Sequence, residues 1–172
     1  MARKVRATPS PTGWRRTLAR VPIRLYRHRL GGLLGRRVLL LTHTGRTTGR
    51  PRQVVLEVTG RDPATGSFHV ASGLGPTSQW YRNIRYTPRV AVQIGRHRMA
   101  ADARPMTPDE SGRAMAAYAP RHPRAARALM RVCGVEADGS AEDWFAVGHD
   151  HIPFVELTPV DGRTGRPVTP PV

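Results

Sequence analysis

The stretch LLLTHTGRTTGRPRQVVLEV, residues 39–58, begins and ends as an apolar strand and changes character completely in between. Its central part holds two glycines, three arginines and five threonine or histidine residues. Gly45 and Gly49 allow a tight backbone path that can approach a ligand closely. Two apolar strands joined by such a turn predict a β-hairpin at the centre of the fold.

The turn of this hairpin is rich in groups that bind anions. Thr44, Thr47 and Thr48 offer hydroxyls, and Arg46, Arg50 and Arg52 offer forked donors suited to phosphate or carboxylate. It is not a P-loop, because the order G-x-x-x-x-G-K-[ST] is absent and the segment leads into a strand. Composition alone is equally compatible with a solvated turn that carries ordinary surface arginines.

The elements around the hairpin predict an α+β fold. Strands are expected at 38–42, 52–59, 67–71, 90–94, 98–104 and 152–157, where β-branched residues or alternating polarity are bounded by turn residues. Helices are expected between Thr77 and Pro88, from the capping box of Thr107 and Glu110 through Tyr118, over 123–132, and around Trp144. Strands that follow one another, with the helices set apart, indicate an antiparallel sheet or barrel.

Length and charge limit the class of protein. The chain has 172 residues, which fits one domain, predicted over 13–159 and flanked by disordered tails at 1–12 and 160–172. The first 56 residues hold 14 basic and no acidic residues, whereas the other 116 hold 14 basic and 12 acidic ones, a net charge of +2. The body is nearly neutral and shows no nucleic-acid-binding motif, so we expect no nucleic-acid partner.

Residues 14–30 form the most basic segment of the chain. Trp14, Leu18, Val21 and Leu25 follow helical spacing among arginines. Such a helix can lie on an anionic membrane surface, or it can pack its apolar stripe on the barrel or on a second subunit. The single Cys133 excludes a disulfide framework and fits a reducing cytoplasm, so we expect a cytoplasmic protein, with contact of 14–30 to the inner face of the cell membrane left open.

Two further patterns contain groups that bind anions or metal ions. In VASGLGPTSQWYRNI, residues 70–84, a strand enters a glycine turn and a helix N-terminus, where free amides can hold an anion beside Trp80, Tyr81 and Asn83. Core packing of Trp80 with Ile84 is the alternative. His149 and His151 lack a third ligand at a recognisable spacing, so we expect no metal site.

These motifs together resemble the deazaflavin-dependent nitroreductase family, whose members use coenzyme F420. The matching patterns are L-L-T-x-T-G-R-x-[ST]-G-x-P-R at 40–52, A-S-x-x-G with W-Y-x-N-[IL] inside 70–95, and I-P-x-V-x-L-x-P at 152–159. The resemblance implies a split β-barrel of the flavin-reductase, FMN-binding type, with about six mostly antiparallel strands and peripheral helices. It also implies hydride transfer from reduced F420 to a small electron-poor acceptor such as a quinone, an activated alkene or a nitroaromatic, and a homodimer.

The resemblance assigns site residues as well. It implies that the phosphate-bearing side of F420 is met by Arg46, Thr47, Thr48 and Arg52, and that the rest of the cofactor is lined by Gln53, Val54, Val70, Ala71, Ser72, Gly73, Gln79, Trp80, Tyr81 and Asn83. Many relatives carry lysine in place of Thr47. Tyr118 and His122 are candidate proton donors, against the alternative of a core tyrosine and a surface histidine. A non-catalytic carrier of F420, flavin or haem on the same barrel is the second functional hypothesis.

Overall fold

The computed structural model describes residues 3–4, 37–136 and 138–160. The basic helix predicted at 14–30 lies outside the described residues, as does most of the two predicted tails. Within the N-terminal tail, Arg3 and Lys4 form a short strand, β1 (Arg3–Lys4), that pairs antiparallel with β7 (Val135–Glu136). Neither strand is marked in the sequence by alternation, because two residues are too few to show a period.

Six strands form a closed barrel in which every neighbouring pair is antiparallel. They are β2 (Val38–Thr44), β3 (Pro51–Arg61), β4 (Phe68–Ala71), β5 (Arg89–Ile94), β6 (His97–Pro105) and β8 (Phe154–Val160). Around the barrel the order is β2, β3, β4, β8, β6, β5. All six strands were predicted, and each end agrees with the prediction to within about three residues.

The hairpin of β2 and β3 builds one wall of the barrel interior. Leu39 and Leu41 are fully buried in the barrel core, and Val54 and Leu56 pack against the same core from the partner strand. Leu41 stands opposite Val54 in the register. Because side chains alternate along a strand, the residues between them face the outside of the barrel.

Four helices pack against the barrel in two separate places. They are α1 (Gln79–Tyr86), α2 (Pro108–Arg121), α3 (Pro123–Cys133) and α4 (Ala141–Asp150). The buried face of α1 joins the barrel core. The other three form a second core with Ile152 and Phe154, on the outer surface of β4 and β8. None of the described helices has the length and hydropathy that a bilayer span requires.

The second core begins at the predicted capping box. Thr107 accepts a hydrogen bond from the backbone N–H of Glu110, and the Glu110 carboxylate accepts one from the N–H of Thr107. The first turn of α2 is attached to β8 through Ser111, whose buried hydroxyl accepts a hydrogen bond from the N–H of Phe154 at 3.1 Å. The bond between Ser111 and Phe154 fixes the start of α2 on the barrel. The buried face of the helix then packs in the second core, on the outer surface of the barrel.

Candidate functional site

The anion-rich turn is attached to helix α1 through one arginine. Arg46 donates to Asn83 Oδ1 from its backbone N–H and from Nη1, both at 3.1 Å, and its Nη1 also donates to Gln79 Oε1 at 2.9 Å. Asn83 is buried, whereas Gln79 is exposed. Three residues predicted for one site, 33 and 37 positions apart in sequence, are thereby brought into direct contact.

Behind Asn83 lies a buried histidine. The Asn83 Nδ2 atom is 3.1 Å from Nδ1 of His43. Since Oδ1 of Asn83 already accepts from Arg46, its Nδ2 must donate, and His43 Nδ1 must accept without a proton. Burial lowers the pKa of His43, and the charge of Arg52 lowers it further, although a backbone hydrogen bond with Thr44 acts in the opposite direction. His43 is therefore a neutral acceptor at neutral pH.

The rest of the turn points into solvent. Thr47, Thr48, Arg50 and Arg52 are all exposed. The turn is closed by the N–H of Gly45 donating to the carbonyl of Arg50 at 2.9 Å. Over the described residues, the arginines at 46, 50 and 52 form no ion pair with an acidic side chain. Their positive charge is available to an anionic ligand.

Gly45 is required here because space is short. A Cβ atom at this position would lie 2.9 Å from Thr48 Oγ1 and 3.1 Å from Arg52 Nε. Gly49 has room but adopts φ of +64°, a conformation that other residues rarely adopt. The two glycines therefore set the shape of the turn by two different physical constraints.

The outer surface of β3 continues from this turn. Gln53 is half-buried, and its Nε2 donates to Thr42 Oγ1 at 3.4 Å on the neighbouring strand. Val55 follows two residues later on the same surface, whereas Val54 packs against the barrel core. The structure therefore places Gln53 beside the turn on the outside and directs the Val54 side chain inward.

The loop after β4 is satisfied internally. The buried Ser72 hydroxyl donates to the carbonyl of Gly75 at 2.8 Å and lies 2.9 Å from Ser78 Oγ, while its N–H donates to Pro153. The carbonyl of Gly73 accepts from Cys133 Sγ on α3 at 2.6 Å. Helix α3 thus covers this loop, and the Ser72 hydroxyl holds the loop together.

Two aromatic residues of α1, Trp80 and Tyr81, contribute mainly to the core. Trp80 is 8% and Tyr81 7% exposed, and Val70 is fully buried in the same barrel core. The rings of Trp80 and Tyr81 meet edge to face, with centroids 6.0 Å apart. The structure thus shows the core packing that the sequence left open for Trp80, and little of the Trp80 and Tyr81 side chains is exposed to a ligand. Ala71 lies on the opposite, outer side, half-buried against the second core.

Tyr118 and His122, at the end of α2, form a separate group beside Glu57 in the middle of β3. Their ring centroids are 5.0 Å apart, and the Tyr118 hydroxyl lies close to the Glu57 carboxylate. Burial, followed by the negative charge of Glu57, raises the pKa of Tyr118 well above its usual value, so the hydroxyl stays protonated. Glu57 also lies 3.5 Å from Arg37. The five residue steps from Arg52 to Glu57 span roughly 17 Å of β3, so the two groups are well separated along the strand.

Glu57 was not predicted as a site residue. It is the first acidic residue of the chain and stands at an outward position of the apolar run VVLEV. A carboxylate in such a run is a signal that the sequence does contain, since alternation already assigns it to the outer surface. Its partner Tyr118 comes from α2, however, and no local pattern connects the two. Within the described residues, no three His, Cys, Asp or Glu side chains gather as a metal site requires.

Comparison with solved structures shows the same fold in proteins of low sequence identity. An F420-H2 dependent reductase, FDR-A, is 21% identical, with 72% of this chain and 95% of that chain covered and a TM-score of 0.50. A pyridoxamine 5'-phosphate oxidase-related, FMN binding protein from Nostoc punctiforme is also 21% identical, covering 88% and 82% with a TM-score of 0.51. The heme storage protein HutZ from Vibrio cholerae is 14% identical, covering 81% and 90% with a TM-score of 0.52.

These likenesses confirm the predicted split β-barrel of the FMN-binding type. A family match of the sequence is more specific than these likenesses of fold. Residues 14–131, more than half of the chain, match the family described as F420H(2)-dependent quinone reductase. This range includes the basic turn, helix α1 and the Tyr118–His122 group. The chain belongs to the F420H(2)-dependent quinone reductase family.

Proposed function

We propose that this protein uses reduced F420 to transfer a hydride to an electron-poor acceptor, namely a quinone, an activated alkene or a nitroaromatic. The observation that carries the proposal is the attachment of the basic turn to α1. Asn83 and Gln79 fix Arg46, and this fixed turn presents Arg50 and Arg52 to solvent with no acidic partner in the described chain. A fixed and unneutralised pair of guanidinium groups suits a phosphorylated, acidic cofactor.

The residues present fit both ends of F420. The phosphate and the glutamyl carboxylates need donors without competing acids, which the turn supplies. The flat ring system needs a surface that is apolar with a few polar groups, and the outer face of β3 offers Val55 beside Gln53. F420H2, when bound, supplies the hydride. The chain itself has to bind the cofactor, hold the acceptor beside it and exclude water.

Reduction of a quinone or an alkene by hydride also requires one proton. The hydride carries two electrons and one hydrogen to the acceptor, and the second hydrogen must come from an acid or from water. We infer that Tyr118 is this acid, because it is buried and stays protonated. We infer that His122, which is half-buried beside the Tyr118 ring, returns the proton from solvent.

Titration of the purified protein with F420 tests the cofactor assignment. Replacing both Arg50 and Arg52 with alanine should weaken F420 binding about tenfold to hundredfold, the range expected for charge-assisted hydrogen bonds. Arg96→Ala is the matched control, because Arg96 is exposed in the turn between β5 and β6. Equal affinity of the double variant and the control would remove the turn from the cofactor site.

Oxidation of F420H2 by menadione, followed anaerobically at 420 nm, separates an enzyme from a carrier. Turnover supports the reductase. Tight binding of F420, FMN or haem with no turnover would favour the carrier module instead. A homodimer is also proposed from the family resemblance, and light scattering after gel filtration measures it directly. Contact of residues 14–30 with anionic lipid stays a prediction from the sequence.

A further inference from the structure

A cleft of about 420 Å³ lies between α2 and the outer surface of the barrel. Its helix wall consists of residues spaced three or four apart, which therefore share one face of α2: Glu110, Arg113, Ala114, Ala117, Tyr118 and Arg121. Thr59 and His69 line it from the barrel. Its volume lies in the range of small-molecule sites.

The charges in this cleft are unbalanced. Glu110 and Glu156 both pair with Arg104, at 2.9 and 2.8 Å. The third acid of the wall, Asp62, accepts from the N–H of Ala64 and the hydroxyl of Thr65. All three carboxylates are therefore engaged with other groups.

The arginines of the helix wall remain without such a partner. No carboxylate of the described chain forms an ion pair with Arg113 or Arg121. Both side chains are exposed at the cleft, one on either side of the small residue Ala117. They lie eight residues apart on the helix, which corresponds to about 12 Å along its axis. A molecule between them can meet either guanidinium group while its flat part rests on alanine.

The cleft also reaches the proton donor. Tyr118 lines it and lies close to Glu57 on the outer surface of β3. A ligand in the cleft therefore lies beside the surface to which the cofactor ring is assigned above. We propose that this cleft binds the oxyanion-bearing end of the electron acceptor, so that the enzyme prefers flat acceptors carrying a carboxylate over neutral ones. The acceptor role rests on the proposed function, whereas the binding of an aromatic carboxylate does not.

Binding of a matched pair of probes tests the site without turnover. Isothermal titration of the full chain with 4-nitrobenzoate and with the neutral 4-nitrobenzamide compares a carboxylate with an amide of similar shape. We expect nitrobenzoate to bind at least tenfold more tightly, and the double variant Arg113→Ala, Arg121→Ala to remove that preference while leaving nitrobenzamide within twofold. Arg96→Ala should change neither. Equal affinity of the two probes, or an unchanged preference in the double variant, would overturn the proposal.

A second variant locates the ligand independently of charge. Ala117→Phe fills the cleft from the helix wall, and we expect it to weaken both probes at least tenfold. Circular dichroism checks that the helix content is kept. Binding that survives this substitution would place the anion elsewhere and refute the cleft.

The acceptor role has its own measurement. With F420H2 present, the KM for nitrobenzoate should lie at least tenfold below that for nitrobenzamide, and the difference should vanish in the Arg113, Arg121 double variant. Equal KM values would overturn the acceptor role even if the cleft binds nitrobenzoate. Arg50→Ala should weaken F420 and leave nitrobenzoate binding unchanged. If F420 fails to bind or to be oxidised while nitrobenzoate still binds in the cleft, the proposed function fails, and with it the acceptor role, but the anion site does not.

Discussion

Asn83 accepts two hydrogen bonds from Arg46, one from its backbone N–H and one from its guanidinium, each 3.1 Å long. The bonds join the turn between β2 and β3 to a helix that begins more than thirty residues later. Because Asn83 is buried and its amide nitrogen meets His43, its oxygen cannot turn away to another partner. One amide thus fixes the position of the basic turn relative to the barrel.

Asn83→Leu should both destabilise the protein and weaken the binding of F420. The substitution leaves the backbone N–H of Arg46 and the ring of His43 without their partner, at a cost of about 1–3 kcal/mol in the free energy of unfolding. Urea unfolding measures this cost. Titration with F420 measures how much affinity is lost when the turn is no longer fixed by Asn83. The control is Gln79→Ala, which removes one exposed bond to the same arginine and should cost less than about 1 kcal/mol. Equal costs for the two variants would contradict the role of Asn83.

The stability of the protein should fall as the pH is lowered below about 6.5. The pKa of His43 is depressed below its ordinary value of 6.5 in the folded protein, so the unfolded chain takes up the proton first. The contribution of His43 to the free energy of unfolding is fully present above pH 6.5. It is lost as the pH falls towards the pKa of His43 in the folded protein. Urea unfolding between pH 8 and pH 5 measures it as the difference between the wild type and His43→Gln. A difference that does not change with pH would show that His43 titrates normally.

The barrel was predictable because its signals are local. Each strand has alternating or β-branched residues between turn residues, and the capping box of Thr107 and Glu110 is visible as a spacing of three. The hydrogen bonds between Arg46 and Asn83 leave no local pattern, since the two residues lie 37 positions apart. The family resemblance implies that both residues lie at the cofactor, but it does not predict that they bind each other.

Other parts of the site depend on tertiary packing that leaves no local trace. Trp80 fits a ligand wall and a core position equally well by spacing, and only the closure of the barrel decides that it is 8% exposed. The pairing of Tyr118 with Glu57 depends on where α2 crosses β3. The cleft beside Tyr118 is likewise a product of how far the helix stands off the barrel, which no sequence period encodes.

The crossing of α2 and α4 predicts a large effect from a single methyl group. A Cβ atom at Gly148 would overlap the carbonyl oxygen of Ser111, a backbone atom that cannot move by itself. Gly148→Ala should therefore cost about 1–3 kcal/mol or more in the free energy of unfolding. Gly112→Ala should cost less, because its methyl group meets the ring of Phe145, a half-buried side chain that can rotate away. Thermal unfolding of both variants checks the order, and a reversed order would contradict this account of the crossing.

Replacing Tyr118 with phenylalanine should separate proton delivery from cofactor binding. The variant keeps the ring that packs in the second core and loses only the hydroxyl beside Glu57. We expect kcat for menadione reduction to fall on the order of 10²-fold, as for loss of a general acid, with the affinity for F420 within twofold of the wild type.

The pH profile and a matched tyrosine provide the control for this prediction. Because burial and Glu57 raise the pKa of Tyr118, the wild-type rate should show no loss from deprotonation of this residue between about pH 7 and its ordinary value near 10. Tyr86→Phe removes a hydroxyl from a residue that is 74% exposed at the end of α1, and it should leave kcat unchanged. If Tyr118→Phe retains the full rate across this range, the second proton comes from water or from His122, and Tyr118 only packs in the second core.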